Sequence, residues 1–576
     1  MPGVDGVLTA IARVSYQAAE HGDLREVDRV MVQLADAAAG ATPAKPAVAA
    51  EERAWRLALE AIRWSFDPRL GSAPKPQAVR AAAVTPAAAA VLRRVCSVME
   101  RAAFCTFDRA ALDGWVALHA ALSAEAQAAA PRPELSPELN PDLSLAAARM
   151  WARILHADFA GLDADAKSLA DEASRAGDPA ALIEATIVRA LAALSTGTLE
   201  DAVEMGRRAA RMAQAEALSH HEYLAHITLA RVRRYSGRPH LALHILAALA
   251  RVAPVTWSGW IGWETYLSGG SLGEQSAPMA GPALRAQHAL QALLDAAREG
   301  DRRAFDRAAA DARAVAAEAP VLADEVAAVI AAIDPLDRAV PKGLLSWMNG
   351  EIAAIPFGLH GIGVRQDAGP QAESATAFVM ARPGQAGRRL LLPGLKLAPS
   401  ARLLARDSSR AGARTETGIA ALALAGDAVI SRDDFFRRVY GFPFVAYRHR
   451  AVLDTLCHRM RTLLGKAGEI RRDEGDGDEN VGAGGRAPTI ALLLQEPIVV
   501  PDMRCILPTA DRVLRALALL GSTSASVAAE QLQMPLRTVQ AVLQQLVSEG
   551  ACTTERDGRH VVYKIEDTTF TQVTAA

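Results

Sequence analysis

Ser524-Ala525-Ser526-Val527-Ala528-Ala529-Glu530-Gln531-Leu532-Gln533-Met534-Pro535-Leu536-Arg537-Thr538-Val539 is the stretch that orients the rest of the chain. Ser524 to Gln533 predicts a short helix, and Pro535 opens the next one where a missing N–H costs nothing. In that next helix Leu536, Val539, Val542, Leu543, Leu546 and Val547 recur at helical spacing and form the inward face. Arg537, Thr538, Ala541, Gln544 and Gln545 are left outside, and Gly550 closes the helix. Upstream, Thr509 to Leu520 predicts an amphipathic helix ended by Gly521. Downstream, Ala551 to Glu555 and His560 to Ile565 flank Asp557-Gly558, the pattern of a β-hairpin.

Three helices and a hairpin in this order resemble the winged helix-turn-helix of MarR- and ArsR-type regulators. Val527 to Leu532 followed by Met534 to Val539 carries the signature. The resemblance implies that the second motif helix enters the major groove and the wing lies on the DNA backbone. Arg537, Thr538 and Gln544 are then base-edge candidates, with Arg556 and Arg559 as wing contacts. Charge pulls the other way. Between Pro508 and Glu566 six basic residues face six acidic ones, and a neutral unit gains little from phosphates. Docking or dimerisation through this unit therefore stands beside DNA contact.

The unit before it is basic. Ser431 to Arg472 holds ten Arg and Lys against four Asp and Glu. A helix is expected over Gly418 to Ala425, and a second from Ser431 to near Tyr440-Gly441. Ser431 and Asp434 resemble an N-terminal capping box. A third runs from about Arg448 to Leu464, with Leu453, Leu456, Met460, Leu463 and Leu464 inward. Arg448, Ala451, Thr455, His458, Arg459 and Thr462 gather on its polar side. Arg459-Met460-Arg461-Thr462-Leu463-Leu464 resembles the end of the recognition helix in OmpR-type winged-helix domains. The family places a small sheet ahead of its first helix. Here Thr376 to Ala381 and Arg388 to Leu392 read as strands around Pro383-Gly384. Arg448, Thr455, His458, Arg459 and Thr462 are the implied DNA contacts, Arg448 and Arg459 for guanine edges or phosphate. Where the wing should turn, Asp473-Glu474-Gly475-Asp476-Gly477-Asp478-Glu479 intervenes, and Thr489 to Leu494 completes the hairpin. That acidic run would repel phosphate, so it either points away from DNA or competes with it as an autoinhibitory mimic.

The first half reads as helix pairs joined at Gly22, Gly197, Gly237 and Gly300. Ala190, Gly197 and Ala202 repeat as Ala230, Gly237 and Ala242, small residues that let paired helices approach closely. The second copy, with Leu246, Leu249 and Pro254, resembles a tetratricopeptide repeat, and the resemblance runs from Leu145 to Ala319. It implies a scaffold with a concave surface for a protein or small ligand. Activators of the antibiotic-regulatory type join such repeats to an OmpR-type domain, usually in the opposite order. Trp257, Trp260 and Trp263, placed between repeats, are expected to staple helices together rather than to cage a ligand.

Composition narrows the alternatives. Of 576 residues 51% are hydrophobic but only 5% aromatic, and the net charge is -2, so any nucleic-acid site is local. The five cysteines show no zinc spacing, which predicts a reducing compartment and no metal. His221 and His226 stand five apart, wrong for two ligands on one helical face. Gly358 to Gly363 reads as a loop, and no phosphate-binding Gly-x-x-x-x-Gly-Lys motif occurs. Neither a secretory start nor an uncharged membrane-spanning run is present, which predicts a cytoplasmic protein.

The expectation is a mainly α protein: an α-helical, tetratricopeptide-like repeat region followed by two winged helix-turn-helix domains with small β-hairpins. Its segments are a helical region over 1–130, repeats over 142–335, a β-containing connector over 342–410, and winged helices over 411–502 and 506–570. A non-enzymatic, sequence-specific transcription regulator follows, without cofactor or metal. Its expected partners are double-stranded DNA, a protein or small ligand on the repeats, and a second copy of the chain, with no membrane. The alternative is a non-enzymatic scaffold whose winged helices dock proteins.

Overall fold

The computed structural model describes residues 7–39, 46–129, 141–236, 238–268, 281–334, 378–390, 401–404, 410–425, 429–473, 487–502, 509–548, 551–558 and 560–565. Among them are 22 α-helices and 10 short strands, so the fold is mainly α.

Sixteen helices build the first half: α1 (Val7–Glu20), α2 (Val27–Ala39), α3 (Pro46–Phe66), α4 (Pro76–Ala82), α5 (Pro86–Cys105), α6 (Arg109–Ala129), α7 (Pro141–Leu155), α8 (Leu162–Ala176), α9 (Pro179–Thr196), α10 (Leu199–Ala215), α11 (Ser219–Tyr235), α12 (Pro239–Val252), α13 (Ser258–Leu267), α14 (Pro282–Glu299), α15 (Arg302–Glu318) and α16 (Ala323–Ile333). The turns between them follow from local chemistry. Gly177, Gly197 and Gly300 end their helices at φ of 67°, 80° and 80°, a region where a Cβ is strained. Asp178 and Asp301 then start the next helices, their carboxylates accepting the Ala181 and Ala304 N–H groups at 3.0 Å.

From α5 onward each helix packs on its successor, and α5, α7, α9, α11 and α13 also touch in series. Two layers result, one of odd-numbered and one of even-numbered helices. Ala190, Ala202, Ala230 and Ala242 are buried where the layers meet. A single hydrophobic core runs from Ala12 to Ile333, so the segments on either side of 130–140 are not separately packed. Gly237 lies outside the described residues, as do Gly358 to Gly363.

Helix α11 is the hub, with 16 of its 17 residues buried. The tryptophan segment is itself helical, and its indoles do more than fill space. Trp263 donates to Glu325 (2.6 Å) and Trp260 to Glu264 (3.2 Å). Arg231 and Arg234 pair with the same two carboxylates, and all four charged side chains are buried. Helix α9 is long and apolar enough to cross a bilayer, but it packs in the core and carries Glu184 and Arg189.

The second half contains β1 (Phe378–Arg382), β2 (Gln385–Leu390), β3 (Arg402–Leu403), α17 (Arg410–Ala423), β4 (Val429–Ser431), α18 (Arg432–Tyr440), α19 (Ala446–Leu464), β5 (Gly468–Asp473), β6 (Thr489–Leu494) and β7 (Ile498–Pro501). It ends with α20 (Thr509–Leu520), β8 (Thr523–Ser524), α21 (Ala525–Leu532), α22 (Leu536–Ser548), β9 (Cys552–Asp557) and β10 (His560–Ile565). The expected connector is not an independent unit. Strands β1 to β3 are joined by β7, which follows the basic unit in sequence, in a four-stranded sheet of order β2-β1-β7-β3. Val379, Ile498 and Val500 thereby join the core of α17, α18 and α19.

The two remaining sheets share one plan. In each unit a helix, a short strand, two helices and a hairpin follow in order, and the short strand pairs with the last one. The orders are β4-β6-β5 and β8-β10-β9. The short strands were not expected from sequence. The last unit is also fastened to the first half, because α12 lies on α20 and Leu241 enters its core.

Candidate nucleic-acid interface

Helix α19 sits as its pattern requires. Leu453, Leu456, Met460 and Leu464 are buried and Leu463 is half-buried. Its start is fixed by His449, whose Nδ1 accepts the Val445 N–H (2.8 Å) and whose ring stacks on Phe436. Arg448, Thr455, His458, Arg459 and Thr462 are all exposed on the opposite side. At 1.5 Å per residue the stripe from Arg448 to Thr462 is about 21 Å long.

The preceding helix is capped, but not by a reciprocal box. Ser431 Oγ accepts the Asp434 N–H at 3.1 Å, as expected. The Asp434 carboxylate, one methylene shorter than Glu, accepts from the Ser431 hydroxyl (2.9 Å) rather than reaching back to its N–H. Gly441 ends α18 at φ of 82°.

The residues of the stripe differ in how free their polar groups are. Thr455 and Thr462 donate their hydroxyl protons to Ala451 O (2.8 Å) and His458 O (3.0 Å), so a phosphate contact requires the hydroxyl to turn. Among the described residues Arg459 makes no such hydrogen bond. Arg461 does: its Nε and Nη2 donate to Ile470 O at 3.1 and 3.0 Å, clamping α19 to β5. Arg472 pairs with Asp454 and ties the same strand to the helix.

Arg414 is a cation that sequence reasoning missed. It comes from α17, its guanidinium lies 5.2 Å from the Tyr440 ring, and it lines one surface depression with Thr455 and Arg459. Burial pushes the Tyr440 hydroxyl up, and Arg414 and Arg459 oppose that shift. No local pattern marks Arg414, because only the fold brings α17 beside α19. Arg448 lies 5.2 Å from the ring of Tyr447, which is 81% exposed, and Phe442, 46% exposed, packs against His449.

In the last unit Arg537, Thr538 and Gln544 are exposed on α22, and Val539, Leu543 and Leu546 are buried. Leu536 departs from the expected inward face and is 44% exposed. It is the first residue of α22, where the turn after Met534 carries it clear of the core. Arg556 is exposed on β9, and Arg559 lies outside the described residues. So does the acidic run from Glu474 onward. Among the described residues no group of three or more His, Cys, Asp or Glu is placed to hold a metal ion.

No family model matches this chain, and no curated protein or solved structure is significantly similar to it.

Proposed function

We propose that the chain is a sequence-specific DNA-binding transcription regulator. Its helical-repeat region would bind a partner, and its two C-terminal units would act as winged helices, the first of OmpR type and the second of MarR/ArsR type. The observation that carries this reading is the α19 stripe: Arg448, Thr455, His458, Arg459 and Thr462 share one exposed face of a helix anchored on its other side. Support also comes from the repeated plan of helix, strand, two helices and hairpin, which in winged helices presents the last helix to the major groove. Arg448 and Arg459 suit guanine edges, and Arg414 adds a cation for the flanking phosphate.

The last unit has a second reading. Its neutral charge and the insertion of Leu241 from α12 favour a role in protein docking, with α22 and β9 as subsidiary DNA contacts. Both readings are non-enzymatic. Fluorescence anisotropy of the full chain on random-sequence duplex DNA, followed by selection of a preferred site, separates them. Docking alone predicts no salt-sensitive binding.

A further inference from the structure

The odd-numbered helix layer contains a cleft of ≈ 440 Å³, in the size range of small-molecule sites. Helix α5 runs along one wall and presents Arg94, Ser97 and Arg101 to it, spaced three and four residues apart on one face. The opposite side is supplied by α1, α7, α9 and the start of α11.

The two guanidinium groups are mostly buried, at 18% and 15% side-chain exposure, yet neither donates a hydrogen bond to a carboxylate. Arg94 lies 3.9 Å from Glu20 and rests over the Tyr16 and Trp55 rings. Arg101 lies 3.6 Å from Glu184. Its Nη1 also lies 3.4 Å from His221 Nε2. That nitrogen is 2.9 Å from Glu184 and carries the proton Glu184 accepts, so it has no lone pair for Arg101. Each guanidinium has five N–H donors, more than these neighbours take up, and the remainder open onto the cleft.

Five acids line the cleft: Glu20, whose neighbour is Arg94 itself, Glu216, and three that other groups engage. Glu184 accepts from His221 and from Trp151 Nε1 (3.4 Å), Glu100 is 3.0 Å from His119, and Asp178 caps α9. Burial works to raise the Glu184 pKa, but His221 and Arg101 hold it below the usual carboxylate range, so it stays ionised. Burial drives the neighbouring His220 well down, which keeps it neutral and able to accept or donate one hydrogen bond.

We infer that this cleft binds a small organic anion, one carboxylate or phosphate group of which is held between Arg94 and Arg101. The site is separate from the α19 face and does not rest on the DNA reading. The ligand would act as an effector, because the same layer includes α11, whose neighbour α12 carries Leu241 into the last unit.

Thermal unfolding of the full chain tests this, with citrate and succinate as carboxylate probes and inorganic phosphate and glycerol 3-phosphate as phosphate probes. Sodium chloride at matched ionic strength is the reference. The expected result is a Tm that rises with one probe class above the chloride control, as binding to the native state requires. Arg94→Gln with Arg101→Gln abolishes the rise, and exposed Arg211→Gln leaves it intact. Arg101→Lys keeps the charge but not the fork, and weakens the apparent Kd at least fivefold, which covers failure of the double variant to fold. Equal Tm values in every salt overturn the inference. So does a rise that survives the double variant, or an unchanged Kd in Arg101→Lys. A rise with spermidine in place of the anions overturns the ligand class.

Discussion

Replacing Glu325 by Gln removes one charge from a fully buried polar cluster and keeps its shape. In the wild type the Glu325 carboxylate accepts from Arg231 (2.9 Å), Arg234 (2.5 Å), Trp263 (2.6 Å) and the Tyr235 hydroxyl. Two guanidinium groups are balanced by two carboxylates, Glu264 and Glu325, and all four side chains have at most 2% exposure. The variant leaves two buried cations facing one anion. Breaking a buried pair from one side typically costs about 3–5 kcal/mol, and the isosteric change keeps packing loss out of that figure. Burial alone would raise the Glu325 pKa, but Arg231 and Arg234 outweigh it and bring it from 4.5 to about 2. A depressed pKa contributes stability that is complete above 4.5 and is lost as pH falls toward 2. Urea unfolding at pH 7 should therefore show the full loss in Glu325→Gln, and the gap to wild type should narrow as the pH is lowered through that window. A loss under about 1 kcal/mol at pH 7, the value of a surface pair, would refute the assignment of this carboxylate as the counter-charge.

Three further outcomes follow from local geometry. Arg459→Ala should weaken binding to a selected DNA site by about 1–3 kcal/mol if the side chain reads a base, measured by anisotropy; an unchanged Kd removes it from the contact set. Ser431→Ala deletes the cap of α18 and should cost about 1 kcal/mol in chemical denaturation, whereas Ser431→Asp should restore most of it. A Cβ on Gly387 would stand 2.5 Å from the Ala423 carbonyl oxygen, a backbone atom with nowhere to go. Gly387→Ala should then cost about 1–3 kcal/mol, and a wild-type unfolding midpoint would contradict the close packing of β2 on α17.

What could be read from sequence was what short-range chemistry dictates. Gly521, Gly441 and the Asp557-Gly558 turn mark element ends, and the structure ends α20 at Leu520, α18 at Tyr440 and β9 at Asp557. The exposed face of α19 was legible because one helical period sorts its residues. Strands β4 and β8, of three and two residues, are too short to show any alternation. The return of β7 to pair with β1 is a long-range event, as are the Arg231–Glu325 contact, 94 residues apart, and the meeting of Arg414 with Arg459. The cleft is assembled from helices spread over α1 to α11, and no window of sequence contains it.

The most direct test of the DNA reading is the salt dependence of duplex binding by the full chain. If Arg448, Arg459 and Arg414 neutralise about three phosphates, log K should fall against log salt with a slope of about -2.7, and Arg459→Ala should weaken binding. A folded chain that shows no binding to duplex DNA at low salt, or binding unaffected by salt, would contradict the account.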